Sequence, residues 1–505
     1  MNSSNNKPIN DISSFQKPLP KFVQKNLDDN ISLIRQQFSN TDDLIIREVH
    51  KGSERYAVLY IENIVEIEKL QKFILTINQK SDQSVTEFLA IQANGSSEIG
   101  RIEKNLLSGS CIIFIEGCDL FFAQDISNSK ERAVTEPENE KTVQGAHDGF
   151  IENLSTNLYL LRKRLQSSKL NIKYFPVGEK IKTKVALTYL IDLTNEEIIV
   201  EVERRLKNIS MEMVLNMSFL EELIEDSSIT PFPQILNTER VDRVIGHLNE
   251  GRIALFIEGN PTALILPVTF SAFYQSPDDY NSRWLMGTFI RAIRHASFLI
   301  SILLPAYYIA VIGFHFEVLP DELVSPVGSS IENIPFPPLI EALFMELTIE
   351  LIREAGIRLP SRIGQTIGIV GGLVIGDAIV QAGLISTTMI VVVALTAISS
   401  YSVPSHGMSD AVRLLRFPFM LLASSFGFIG ISFGFIVVLA HLCKLESFGT
   451  PYFAPFAPFR MKDLKDTFMR LPIWKMNTRP LDPKPKDMIQ SFVKRGWKYG
   501  QRKKR

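Results

Sequence analysis

The chain has 505 residues, a formal net charge of −1 and 45% hydrophobic residues. That length implies two to four domains, and a charge balance so near zero argues against a nucleic-acid binder, which carries a basic excess. Three cysteines exclude a disulfide framework, and Cys111 and Cys118 have no His or Cys neighbour with which to hold zinc.

Residues 1–26 are rich in Asn, Ser, Lys and Pro and read as a disordered tail. The polar start lacks the apolar core of a signal peptide, so the charged first half is expected in the cytosol. A pattern then occurs twice. Asn30-Ile-Ser-Leu-Ile-Arg35 recurs as Asn157-Leu-Tyr-Leu-Leu-Arg162, each an apolar helix stripe ending in a base. Each is followed by an extended run (44–49, 170–175), an apolar strand (57–62, 185–192), a charged amphipathic helix (64–77, 195–209) and the motif Phe-Ile-Glu-Gly at 114–117 and 256–259. Five features in one order imply a duplicated α/β unit over 27–127 and 150–275, the second subdomain running on to 285. Residues 128–149 are polar and turn-rich, as a linker should be.

This half contains no Gly-rich phosphate loop and no nucleophile–base motif, so no catalytic residue, metal ligand or cofactor is expected. The Glu-Gly pairs read as tight turns with a solvated Glu, the alternative being contact with a partner subunit. His50, His147 and His247 are scattered and expected at the surface.

From about 286 to 445 the composition changes. Residues 295–316, 378–409 and 417–443 contain no Asp, Glu, Lys or Arg. A membrane span needs about 20 mainly apolar residues, which gives spans at about 293–316, 362–385, 387–404 and 417–442. The fold class is thus a duplicated α/β cytosolic domain followed by an all-α polytopic membrane domain. Arg291 and Arg294 precede the first span, while the loop 316–338 holds four acids and no base. The positive-inside rule places the loop outside and both termini inside, with four crossings.

Segment 338–356 complicates that count. Glu346, Glu350 and Glu354 fall on one helical face, and Glu341, Glu346 and Glu350 are its acidic candidates. An interfacial or re-entrant helix is expected, or else a cation-attracting vestibule within the membrane. A full crossing would demand another elsewhere, such as a split of 411–443. In the span over 362–385, Gly364, Gly368, Gly372 and Gly376 form a row down one side. Such a row lets helices approach closely. Asp377 and Gln381 lie one turn apart near its end, and Val374 sits on another face. These seven residues are candidates for pore lining or packing in a homo-oligomer. Residues 446–505 form a tail expected in the cytosol; from Lys444 the chain counts 16 Lys or Arg against 5 Asp or Glu, with Trp474 and Trp497. It reads as a contact with anionic lipid.

Several motifs together resemble the A subunits of GerA-type spore germinant receptors. They are Glu136-Pro137, Phe150 with Asn157 and Arg162-Lys-Arg164, Ser276-Pro-Asp-Asp-Tyr280, and Arg291 with Arg294. They continue with Pro335-Phe-Pro337, Arg353 through Pro360, Gly364, Ile375-Gly376, Val380-Gln-Ala-Gly383, Ala394-Leu-Thr-Ala397 and Phe448-Gly-Thr-Pro-Tyr452. The resemblance covers about 27–480. The chain departs from it at Ala146, His147 and Glu332, where the family usually has Pro, a base and Arg. It implies a non-enzyme in the spore inner membrane, partnered by a transporter-like B subunit that senses nutrient and a lipoprotein C subunit. It also implies a homo-oligomer forming a nutrient-gated channel that releases monovalent cations. The rival reading is a non-conducting scaffold that relays the signal to cytosolic partners.

Overall fold

In a computed structural model of the chain, residues 20–52, 54–79, 84–128, 136–142, 144–332, 334–358 and 376–490 are described. They divide into two compact units. The first comprises Met1–Val134, Ile151–Phe175 and Lys184–Ile191; the second comprises Thr135–Phe150, Pro176–Thr183 and Asp192–Arg505.

The first repeat runs α1 (Leu27–Gln37), β1 (Leu44–Lys51), β2 (Glu54–Ile61), α2 (Ile67–Gln79), α3 (Val85–Gln92), β3 (Asn94–Ser96), α4 (Ile99–Leu107), β4 (Ser110–Ile115) and β5 (Phe121–Asp125). Its strands form an antiparallel sheet in the order β1-β2-β4-β5-β3. Side chains alternate across a strand, so one apolar run can serve two faces. Ala57, Leu59 and Ile61 pack with Leu27, Ile31 and Ile34 of α1 and Ile102 of α4. Tyr56, Val58 and Tyr60 pack with Leu70 of α2 and Phe88 of α3 on the other side. Cys111 lies in that second layer, where burial pushes its thiol up to about 12.

The second repeat has the same element order: α5 (Leu154–Arg164), β6 (Leu170–Val177), β7 (Thr183–Leu190), α6 (Glu196–Lys207), α7 (Met217–Ile224), β8 (Leu236–Thr238), α8 (Val241–Leu248), β9 (Ile253–Ile257) and β10 (Ala263–Leu266). Strand β10 pairs antiparallel with both β9 and β8, as β5 does with β4 and β3. The repeated Asn has one job at both places. Asn30 accepts from Gln24 N–H and donates to Gln24 C=O at 3.0 and 2.6 Å. Asn157 does the same with Ile151 at 2.8 and 2.6 Å. Asn26 and Asn153 cap the two helices that follow. Gly117 and Gly259 both turn at positive φ, +82° and +87°, beside exposed Glu116 and Glu258.

The compact units do not follow the repeat boundary, because α5, β6 and β7 group with the first repeat. Arg162, wholly buried, donates Nε and NH2 to Asp43 at 2.9 and 2.8 Å.

After a 3-10 turn at Phe270–Tyr274 come α9 (Pro277–Asn281), α10 (Trp284–Phe314), α11 (Asp321–Ile331), α12 (Pro338–Arg358), α13 (Gly376–Gln381), α14 (Thr387–Tyr401) and α15 (His406–Lys444). Two of these, α10 with 31 residues and α15 with 39, are long and apolar enough to cross a membrane, and α14 is a shorter apolar helix. Ile302, Ala306 and Ile309 of α10 share a core with Ala342 and Met345 of α12, Met389 and Val393 of α14, and Val412 and Phe419 of α15.

The apolar run expected as one span at 417–442 is two helices. Gly427 has φ +59° and ψ −137°, outside helical geometry. A Cβ added to Gly434 would meet Leu422 Cδ1 at 2.8 Å and Phe419 Cε1 at 3.1 Å. Along a straight helix residues 419 and 434 are roughly 22 Å apart, so α15 folds back as a hairpin with arms 406–426 and 428–444. Gly427, Gly430 and Gly434 are buried where the arms meet.

Candidate functional site

The interior of this helical region contains charge. Glu346 of α12, with no exposure, pairs with Arg416 of the first α15 arm. Arg416 also donates Nε to Ser301 C=O at 3.0 Å and NH2 to Ser301 Oγ at 3.1 Å on α10. One helical turn further, Glu350 faces Arg413 at 3.2 Å and Arg353 at 3.8 Å. Arg353 donates to Ser400 Oγ at 3.1 Å and lies over the Tyr401 ring at 4.6 Å. Toward the other end of α12, Glu341 accepts from Ser386 N–H, the N-cap of α14, at 2.8 Å. Tyr308 and Ser386 share a hydroxyl contact at 3.2 Å. Three carboxylates and three guanidiniums thus line a seam where α10, α12, α14 and α15 meet. Buried charge is tolerated only where it is paired and hydrogen-bonded. Even so, one carboxylate oxygen on each of Glu341, Glu346 and Glu350 has no hydrogen-bond partner among the described residues. Chemically, the seam can lock the helices in register.

The sequence leads to the expectation of an interfacial or re-entrant helix at 338–356. Glu341 meets the head of α14 and Arg353 its foot, so α12 runs alongside α14 inside the bundle. Of its glutamate face, Glu346 and Glu350 meet the arginines of α15, while Glu354 is exposed and pairs with Arg358 on α12 itself. Of the other candidates, Gly364, Gly368, Gly372 and Val374 lie outside the described residues. Gly376 and Asp377 begin α13, and Gln381 ends it, exposed. Among the described residues, the seam gathers Glu341, Glu346 and Glu350. Arg416 and the glycines at 427, 430 and 434 were missed by the sequence reading. A lone base at the edge of a long uncharged run was the available signal.

A second buried cluster ties the helices to the α/β part of the same unit. Asp279, capped into α9 through Ser276, accepts from Arg291 Nε at 3.1 Å and Arg294 NH1 at 2.8 Å. Arg291 reaches Asp466 at 2.9 Å, and Tyr280 donates to Asp466 at 2.8 Å. Arg291 and Arg294, read from sequence as topology-setting charges, are both consumed in pairs. Residues 446–490 of the tail are also folded onto this unit. Tyr452, fully buried, donates to Pro233 C=O at 2.7 Å; Phe448 N–H bonds Asp226 at 2.6 Å; and Arg479 Nε bonds Asn249 C=O at 2.7 Å. His247, expected at the surface, is buried beside Glu250 and Arg252, and burial then Arg252 bring it down to about 4. His147 and His50 are exposed as expected, His147 pairing with Glu136 at 2.8 Å.

Fold and site together define a duplicated α/β region joined to an apolar helical bundle with internal charge. The chain matches the family model described as Bacillus/Clostridium GerA spore germination protein over residues 32–481. It is 39% identical over 451 residues to spore germination protein A1 of Bacillus subtilis (strain 168), covering 88% of this chain and 94% of that one. It is 37% identical over 474 residues to the uncharacterized membrane protein YfkQ of the same organism, covering 92% of each. Among solved structures, it is similar to the N-terminal domain of the A subunit of the Bacillus megaterium spore germinant receptor GerK3, with 30% identity, 50% of this chain and 99% of that one covered, and a TM-score of 0.39. The chain belongs to the GerA spore germination family.

Proposed function

We propose that this chain is the A subunit of a germinant receptor in the spore inner membrane, and that copies of it assemble into a nutrient-gated pore for monovalent cations. The observation that supports this best is the seam of the buried Glu346–Arg416 pair and the half-buried Glu350–Arg413 pair. Ionisable groups inside an apolar bundle are costly and mark ion pathways or switching contacts. In this reading a transporter-like B subunit senses the nutrient and a lipoprotein C subunit completes the receptor. The domain limits are 27–127, a linker at 128–149, and 150–285, followed by the membrane region at 286–445. The crossings are α10, α12, the segment 362–385 kept as a span, α14 and the two arms of α15. Six is an even number, so the α/β region and the tail share the cytosolic side, the tail against anionic lipid, and 317–334 lies outside.

The test is ion release from spores. In this reading Val374 forms an apolar constriction of the pore; Val374→Ala widens it, and such spores leak potassium without nutrient. Normal dormancy together with normal nutrient-triggered release, at normal protein levels, would count against the pore and favour the relay scaffold. Orientation is checked separately with an impermeant thiol reagent. Ser329→Cys is labelled in intact cells and Ser491→Cys is not; labelling of position 491 sinks the topology.

A further inference from the structure

The first three turns of α10 are built inside out. Arg291 and Arg294, 0% and 8% exposed, face the protein, while Leu285, Phe289 and Ile293 stand 65%, 60% and 45% exposed. In water the reverse pattern is expected. That apolar face continues into a groove between the start of α10 and residues 470–474, with Trp284, Phe289, Ile473 and Trp474 on its walls. The groove encloses about 760 Å³, within the roughly 300–1,000 Å³ of small-molecule sites. No acidic side chain lines it.

Its polar end is basic. Arg283 is exposed and makes no side-chain hydrogen bond or ion pair among the described residues. Arg470 is 3% exposed; its NH1 and NH2 donate to Ser282 and Tyr280 carbonyls at 2.9 and 3.2 Å, but Nε has no partner. Ser282 Oγ, also on the wall, has none either. Tryptophans at both lips suit the depth where headgroups meet acyl chains. We propose that this groove is a binding site for one anionic phospholipid, its acyl chain along Phe289 and Ile473 and its phosphate between Arg283 and Arg470. The site rests on α10 crossing the membrane.

The test uses the full chain in nanodiscs containing phosphatidylglycerol or phosphatidylcholine that carries the same photoreactive acyl chain, with labelled residues mapped by mass spectrometry. The glycerol lipid labels residues 283–289 and 472–474 about fivefold more than the choline lipid, since one basic group near an anionic headgroup is worth about 1 kcal/mol. Arg283→Gln removes that preference, while labelling at Ile300 and Tyr307, further along the same helix, stays level between the two lipids. Equal labelling of the groove by both lipids in the unaltered protein overturns the site and leaves only annular lipid. An unlabelled groove with Ile300 and Tyr307 labelled also overturns it, and means that residues 491–505 or a second copy cover it. Absence of label anywhere on α10 instead refutes the span itself.

Discussion

The Glu346–Arg416 pair offers the sharpest perturbation. Arg416 is 1% exposed and supplies three donors: one to Glu346 and two to Ser301. Arg416→Met keeps the volume but leaves the Glu346 carboxylate, itself wholly buried, without a counter-charge. Removing one partner of a buried pair costs about 3–5 kcal/mol, whereas replacing both by apolar groups is often neutral. For a cooperative unit of this size, each kcal/mol moves the midpoint by about 2–4 °C. Arg416→Met should therefore lower the thermal midpoint of the full chain in detergent by roughly 6–20 °C. Glu346→Leu with Arg416→Met should restore most of it, because Ser301 Oγ then loses only a donor. The reasoning fails if the single substitution costs less than about 1 kcal/mol, or if the two single effects simply add in the double variant.

Two further outcomes follow from local geometry. Gly427→Ala puts a side chain where φ is +59° and only 3.2 Å from Phe314 Cβ, so it should destabilise by on the order of 1–3 kcal/mol. Gly313→Ala on α10, with nothing within 4 Å of the added Cβ, should be neutral or stabilising; equal losses in thermal melts would refute the hairpin. His247 is held down to about 4, below the ordinary 6.5, so the unfolded chain takes up its proton first as pH falls. Its contribution is intact above pH 6.5 and is lost between 6.5 and 4, on the order of 2 kcal/mol by pH 5. His247→Gln should flatten that slope in denaturant titrations at several pH values; an unchanged slope refutes the assignment.

The duplication was legible because its signals are local. Asn30 and Asn157 each bind backbone six residues away, and each Phe-Ile-Glu-Gly motif closes a strand. The small elements between, α3, β3 and α4, were not read, since pieces of three to nine residues carry too little periodicity. The partners of helix α12 were not legible for another reason. Its glutamates repeat as a solvated face would, and their partners at 413 and 416 lie more than 60 positions away, where no periodicity can point. Gly427 was hidden because a turn made of Gly and apolar residues leaves the hydropathy of 417–443 unbroken. The tail's basic excess suggested membrane contact, yet several of those bases are used inside the fold: Arg460 on Asp482, Arg470 on backbone carbonyls and Lys486 on Glu196.

The α15 hairpin brings these observations into one mechanical unit. Its first arm starts where Gly407 meets Pro233, and its second ends where His441 bonds Thr230 at 2.8 Å. The same loop receives the tail through Tyr452 on Pro233. Arg416 lies ten residues into the first arm, about 15 Å along a continuous helix. Loop 230–233 thus touches both feet of the hairpin, and helix 406–416 runs without a break from that loop to the Arg416–Glu346 contact. A close ion pair is a contact with distinct made and broken arrangements, unlike a greasy interface that slides. Coupling between the α/β part of this unit and the bundle needs a two-state element that both ends can bias. Among the described residues, the seam is where such an element and a direct helical lever coincide.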